Sequence, residues 1–144
     1  MKDTAITQIA IIVDDIDKYA AAWAKVFKLE TPKWFLTDGR DKAHTKYEGK
    51  DTDARAKLAF IQAKNITIEL IEPVGEGSVW MEHLKKHGPS VHHIAMDAPD
   101  MRQTIAMLGL PVSQTGDYTG GCYAYLRGEK LLGVDIELLH DDVK

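Results

Sequence analysis

Four side chains in this sequence are of types that bind metal ions, and each lies inside an otherwise apolar stretch: Gln8, Glu69, His93 and Glu137. They form two pairs. Gln8-Ile9-Ala10-Ile11 matches His93-Ile94-Ala95-Met96, and Asp15 then falls on Asp100. Ile68-Glu69-Leu70-Ile71 matches Ile136-Glu137-Leu138-Leu139. Gln8 and His93 are therefore repeat equivalents, as are Glu69 and Glu137. Two carboxylates, a neutral imidazole and an amide carry a summed charge that a divalent cation cancels. Their mixed oxygen and nitrogen donors suit an ion with open positions for water or substrate. Closed structural zinc sites are tetrahedral and often rich in sulfur, which this set is not. A carboxylate in an apolar strand has to be paired, hydrated or metal-bound.

The elements that position these residues follow from periodicity. Ile6 to Val13 is apolar and β-branched and reads as a strand. Asp14 and Asp15 offer an N-cap, and Ile16 to Phe27 has helical spacing. Trp34 to Thr37 reads as a short strand, Asp38 to Asp53 as a loop or irregular hairpin, and Ala56 to Gln62 and Ile66 to Ile71 as two strands ended by Pro73 and Gly75. Val79 to Lys86 reads as a short helix stopped by Gly88-Pro89. The order then restarts: a strand from Val91 to Met96, a helix from Pro99-Asp100 to Leu108, and strands at Leu110 to Ser113, Cys122 to Arg127 and Val134 to Leu139. The expectation is an α+β fold over residues 1–144, built as a single domain from two βαβββ modules, 5–73 and 90–140. Strand alternation puts Gln8 opposite the helix-facing Ile9, Ile11 and Val13. If each module is a curved sheet with its helix outside, the four candidate ligands line the concave side. The same alternation sends His92 to the other face, as a structural residue. His44, His83, His87 and His140 stay unassigned, with His44 and Tyr47 within reach of a pocket mouth. Trp34 and Phe35 serve either a core or a flat apolar pocket wall.

Composition narrows the class. The chain has 144 residues, 44% hydrophobic and 28% charged, with a formal net charge of −4. There is no basic stripe for nucleic acid, and no apolar run approaches the ~20 residues that span a bilayer. The start of the chain lacks the layout of a secretory leader. The one cysteine, Cys122, excludes an intrachain disulfide framework and a CxxC zinc site; it reads as an inert packing residue in a reducing, cytoplasmic setting.

The stretches TQIAIIVDDIDKYAAAW, AKLAFIQAKNITIELIEP, HGPSVHHIAMDAPDM and LGVDIELLH resemble the vicinal oxygen chelate superfamily. That group includes glyoxalase I, methylmalonyl-CoA epimerase, extradiol dioxygenases and bleomycin-resistance proteins. The resemblance implies a cupped sheet of two βαβββ modules. It places metal ligands at Gln8, where His is usual and Gln is accepted, and at Glu69, His93 and Glu137. It implies one divalent ion (zinc, cobalt, nickel or manganese), a small-molecule carbonyl substrate and a homodimer, with the cup closed within one chain or shared between two. KLAFIQ, IELIEP and HGPSVHHIA look most like the epimerase branch. Some of its members carry a base on the third strand of the first half, near Lys57 here. The function implied is that of an isomerase, an epimerase or racemase moving a proton next to a carbonyl. Its substrate is an acyl-CoA thioester or an isoflavanone-type ketone, with Glu69 and Glu137 as the acid–base pair. The alternatives are a glyoxalase-type lyase acting on a hemithioacetal and a non-catalytic antibiotic-binding protein. An iron oxygenase, which commonly uses two His and one carboxylate, fits less well.

Overall fold

The structure is a computed structural model that describes residues 4–142. Residues 1–3 and 143–144, which the leader-peptide reading and the single-domain range include, lie outside the described residues. The first strand, β1 (Ile6–Ile12), leads into helix α1 (Ile16–Phe27), where the Asp15 carboxylate caps the free Lys18 N–H at 3.3 Å. A short strand β2 (Phe35–Leu36) follows. The long strands β5 (Arg55–Gln62) and β6 (Thr67–Val74) then close the first repeat. Between β2 and β5 lie a one-turn helix α2 (Arg40–Ala43) and a small hairpin, β3 (Lys46–Tyr47) and β4 (Lys50–Asp51). Helix α3 (Val79–His87) is capped by Ser78, which accepts the Met81 N–H at 3.0 Å. The second repeat runs β7 (Ser90–Asp97), α4 (Met101–Leu108), β8 (Val112–Tyr118), β9 (Gly121–Leu126), a one-turn α5 (Glu129–Leu132) and β10 (Asp135–Asp141).

All ten strands join one curled sheet in the order β2-β5-β6-β1-β7-β10-β9-β8-β3-β4. The repeat is visible in the pairings. β1 runs parallel to β6, as β7 does to β10, and β5 pairs antiparallel with β6, as β9 does with β10. The two halves meet along an antiparallel seam between β1 and β7. Helix α1 covers one half over Val13, Ile16, Ala20, Ile61 and Leu70. Helix α4 covers the other over Leu126, Ile136 and Leu138. A third cluster, with Ala10, Ile12, Ile71, Val79, Trp80 and Tyr125, lies on the opposite, cup side of the sheet.

Beside the one-turn α5, which was not expected, and end shifts of one or two residues, the sequence expectations change in three places. Strand β6 runs through Pro73 to Val74 instead of stopping at Ile71. The Ile71 carbonyl accepts the Val13 N–H, and Pro73 lies past the last residue that β6 pairs with β1. Strand β8 starts at Val112 and extends to Tyr118, past Gly116, against which the Tyr123 ring lies too closely for any side chain. The segment Asp38 to Asp53 folds as α2 and the β3–β4 hairpin, and β3 pairs with β8 of the other half. No helix among the described residues is long and apolar enough to cross a membrane.

Candidate metal centre

The seam strands and their parallel neighbours bring the four repeat-paired residues to one floor. Ala10 on β1 pairs with Glu69 on one side and His93 on the other; Ala95 on β7 pairs with Gln8 and with Glu137. Each candidate ligand therefore flanks a fully buried alanine. Directly paired positions hold their Cβ atoms about 4.5–5.5 Å apart, so a methyl group at these two places leaves the space between the ligands open. Glu69, His93 and Glu137 each offer one ligand atom, and the three atoms lie within 4.8 Å of one another. His93 Nε2 stands 3.0 Å from Glu137 Oε2 and 3.6 Å from Glu69 Oε1. Neither contact has hydrogen-bond geometry. Gln8 Oε1, Glu69 Oε1, His93 Nε2 and Glu137 Oε2 are the buried side-chain atoms without a hydrogen-bond partner among the described residues.

Orphaned buried polar atoms are costly; those of Glu69, His93 and Glu137 converge, with Gln8 one pairing away across Ala95, and the set fits a divalent cation. The charges behave accordingly. Burial pushes the Glu69 carboxyl above its usual range, and the Glu137 charge adds to this while His93 opposes it. Burial alone would lower the His93 imidazole, but the Glu137 and Glu69 carboxylates outweigh it and hold it up at about 9.

The cup above this floor encloses about 670 Å³. One wall carries Phe35, Leu36, Leu58 and Phe60, with the Phe35 and Phe60 ring centroids 5.9 Å apart. The facing wall carries Tyr118, Tyr123 and Tyr125. Tyr125 lies 4.8 Å from the His93 ring and accepts a hydrogen bond from Trp80 Nε1 at 3.0 Å. Burial, with the Glu137 and Glu69 charges, keeps Tyr125 a neutral phenol. In the described chain, strands of both repeats contribute to the cup.

Other candidates land elsewhere. Phe35 lines the cup, whereas Trp34 turns away, donating to Asp17 Oδ1 and receiving Lys57 Nζ over its ring at 4.5 Å. Lys57 points away from the cup and pairs with Glu72 at 3.2 Å. Alternation explains this, since Leu58 and Phe60 take the inward positions. Tyr47 packs against the cup-side cluster and donates to Glu82 at 2.6 Å. His44 pairs with Asp117, a cup-lining residue, at 2.8 Å. Burial, with Asp117 and Asp142, pushes the Cys122 thiol up, away from thiolate chemistry.

His92 departs from the expected alternation. Along the seam Ala10 pairs with His93 and Ile11 with Val91, so His92 is an extra residue in a β-bulge. It is buried, its Nδ1 lies 2.8 Å from His93 Nδ1, and its Nε2 faces Asp135 Oδ2 at 3.5 Å. Asp135 Oδ1 accepts the Gly128 and Glu129 N–H groups at 2.9 and 3.1 Å. Burial would raise the Asp135 carboxyl, but His92 and these two amides hold it below its usual range. A strict period of two hides this arrangement. The Tyr123-x-Tyr125 spacing on β9 was the available signal for the tyrosine wall.

Comparison with known proteins agrees with this geometry. A family model described as the Glyoxalase/Bleomycin resistance protein/Dioxygenase superfamily matches residues 7–125. Among solved structures, a hypothetical protein from Bacillus halodurans aligns with a TM-score of 0.68 at 20% identity, covering 99% of this chain and 97% of that one. A methylmalonyl-CoA epimerase in complex with methylmalonyl-CoA and ammonium aligns at 0.64 and 22%, covering 96% and 94%. The methylmalonyl-CoA epimerase of Mycobacterium tuberculosis aligns at 0.62 and 19%, covering 94% and 87%. At these identities the structures establish the shared fold. No curated protein matches the sequence significantly.

Proposed function

The chain belongs to the Glyoxalase/Bleomycin resistance protein/Dioxygenase superfamily, and from that premise we propose a metal-dependent epimerase or racemase that moves a proton at a carbon next to a carbonyl. The observation that carries the proposal is the convergence of orphaned atoms on Glu69, His93 and Glu137, with a fourth orphaned atom on their repeat-paired neighbour Gln8. These residues would hold one divalent ion, with zinc, cobalt, nickel and manganese all suited to the donor set. Such an ion supplies Lewis-acid stabilisation for the negative charge that builds on a carbonyl oxygen as the α-proton leaves.

The protein's own share is proton transfer and placement. Glu69 and Glu137 come from β6 and β10, the two strands that flank the seam pair. That repeat symmetry sets two carboxylates on either side of the floor, the disposition that racemisation needs for an acid and a base on opposite faces of one carbon. The aromatic walls exclude water and orient a flat apolar body.

The cup lining favours an isoflavanone-type ketone over an acyl-CoA thioester. Phe35 and Phe60 face three tyrosines, and Asp38, Asp97, Asp117 and Asp141 also line the cup. Among the described residues that line it, no lysine or arginine meets the phosphates of a CoA carrier. The test is a screen in deuterated water for α-deuterium uptake by α-substituted thioesters, isoflavanone-type ketones and the methylglyoxal–thiol adduct, with metal and with chelator. Metal-dependent uptake by the ketones supports the proposal. Uptake by the thiol adduct alone moves the reading to a lyase, and ligand binding without uptake moves it to a binding protein.

A further inference from the structure

Behind His93 stands a pair of residues that the proton-transfer reading leaves unused. We propose that His92 and Asp135 form a positioning relay that fixes the His93 imidazole with its proton on Nδ1 and its Nε2 lone pair facing Gln8, Glu69 and Glu137. The inference rests on the metal-site reading above and assigns two new residues to it.

The relay follows from counting protons. The two Nδ1 atoms lie 2.8 Å apart, so one carries the hydrogen and the other accepts it. If His93 donates, its Nε2 is free to bind a cation, and neutral His92 carries its own hydrogen on Nε2. That nitrogen faces the Asp135 carboxylate at 3.5 Å, where an N–H is electrostatically favoured and a lone pair is not. If His92 donates instead, neutral His93 carries a hydrogen on Nε2, aimed at the space between the carboxylates, and its metal-binding atom is blocked. Asp135 therefore selects the binding-competent tautomer from two residues away. Its own orientation is fixed, because Oδ1 is held by two backbone amides at the start of α5.

Local structure makes the relay possible. The bulge on β7 turns His92 toward His93, and the rings of Tyr125 and His83 pack against it with centroids 5.6 and 5.0 Å away. The first repeat supplies an internal contrast. β1 has its own register shift at Thr7, immediately before Gln8, and there Thr7 Oγ1 donates to the Ala95 carbonyl at 3.3 Å. An amide ligand has no tautomer to choose, and the position behind Gln8 carries no imidazole. Imidazole ligands elsewhere are commonly oriented through their second nitrogen, and loss of such a partner costs about 10–100-fold in metal affinity.

The test measures zinc and cobalt affinity of the full chain by competition with a chromophoric chelator. Alongside it, the 15N shifts of the histidine rings report the site of each proton. His92→Phe is expected to weaken metal binding about 10–100-fold. His92→Asn, whose side-chain oxygen takes the place of Nδ1 as acceptor, is expected to restore most of it. Asp135→Asn keeps an oxygen for the Gly128 and Glu129 amides but turns an NH2 group toward His92, and is expected to weaken binding as His92→Phe does. Equal affinity in wild type and His92→Phe overturns the relay and leaves the metal site standing, as does a folded His92→Asn that binds no better than His92→Phe. A wild type that binds no metal overturns the metal site. The ring shifts of the metal-free protein, read at a pH where both imidazoles are neutral, then decide the relay, since a hydrogen on His92 Nδ1 overturns it and one on His93 Nδ1 supports it.

Discussion

A buried carboxylate costs several kcal/mol unless it is paired, and this chain buries two at repeat-equivalent positions, Glu69 and Glu137, that share the one imidazole of His93 at 3.6 and 3.0 Å. A fold keeps such a cluster only if something offsets the cost. A cation that binds the folded state alone raises stability by about 2.7 kcal/mol at a hundredfold excess over its Kd. Thermal melts with zinc, cobalt, nickel or manganese are expected to shift upward by several degrees and to return to the metal-free value with chelator. An unchanged Tm with all four ions removes the metal from the reading. The acid–base assignment makes a separate prediction. General acid–base groups contribute about 10²–10⁴-fold, so Glu69→Gln and Glu137→Gln are each expected to slow α-deuterium exchange at least a hundredfold. Retention of full exchange in either variant removes that residue as the base. These residues were legible in the sequence as one group because the repeat doubled each of them. His92 and Asp135 were not, because a bulge breaks the alternation on which that reading rests.

At the scale of elements, the floor depends on what the seam strands do not carry. Ala10 and Ala95 are repeat equivalents, both fully buried, and each lies between two candidate ligands. Ala95→Leu is expected to fill the space between Gln8 and Glu137, abolish metal binding by elemental analysis, and cost about 1–3 kcal/mol in urea denaturation through overpacking. Undiminished metal content in this variant would refute the floor geometry. Helix α3 carries a pH dependence of its own. Burial, with the charges of His92 and His87, pushes His83 down to about 4 from 6.5. The folded state thus binds fewer protons than the unfolded chain in that interval. The stability from neutral His83 is fully present above about pH 6.5 and is lost as the pH falls toward about 4. His83→Gln is expected to lose less of its urea midpoint over that interval than wild type, and an identical loss excludes His83 as the titrating group. Strands and helices with clear periodicity were legible: α1 and α3 start where their caps place them. The β3–β4 segment was legible only as a loop or irregular hairpin, because it has too few residues to show a period and takes its partner from β8 in the distant repeat.

The whole molecule is one sheet in which neither repeat holds a complete ligand set. Gln8 and Glu69 come from the first half, His93 and Glu137 from the second, and the β1–β7 seam brings them together within a single chain. The halves are tied a second time at the far edge, where β3 of the first repeat extends the sheet from β8 of the second. A third tie crosses from α3. The Val79 N–H donates to Gln114 Oε1 on β8 at 2.9 Å, and Gln114 Nε2 donates to Tyr123. The candidate site therefore depends on the union of the two repeats, not on either alone. On the proposed reading a single chain supplies all four ligands. Elemental analysis is expected to give one divalent ion per chain, and sedimentation at decreasing concentration is expected to leave that ratio unchanged across any dissociation of a homodimer into monomers. A ratio of one ion per two chains, or metal lost in step with dissociation, would place part of the ligand set on the partner and overturn the assignment of all four ligands to one cup.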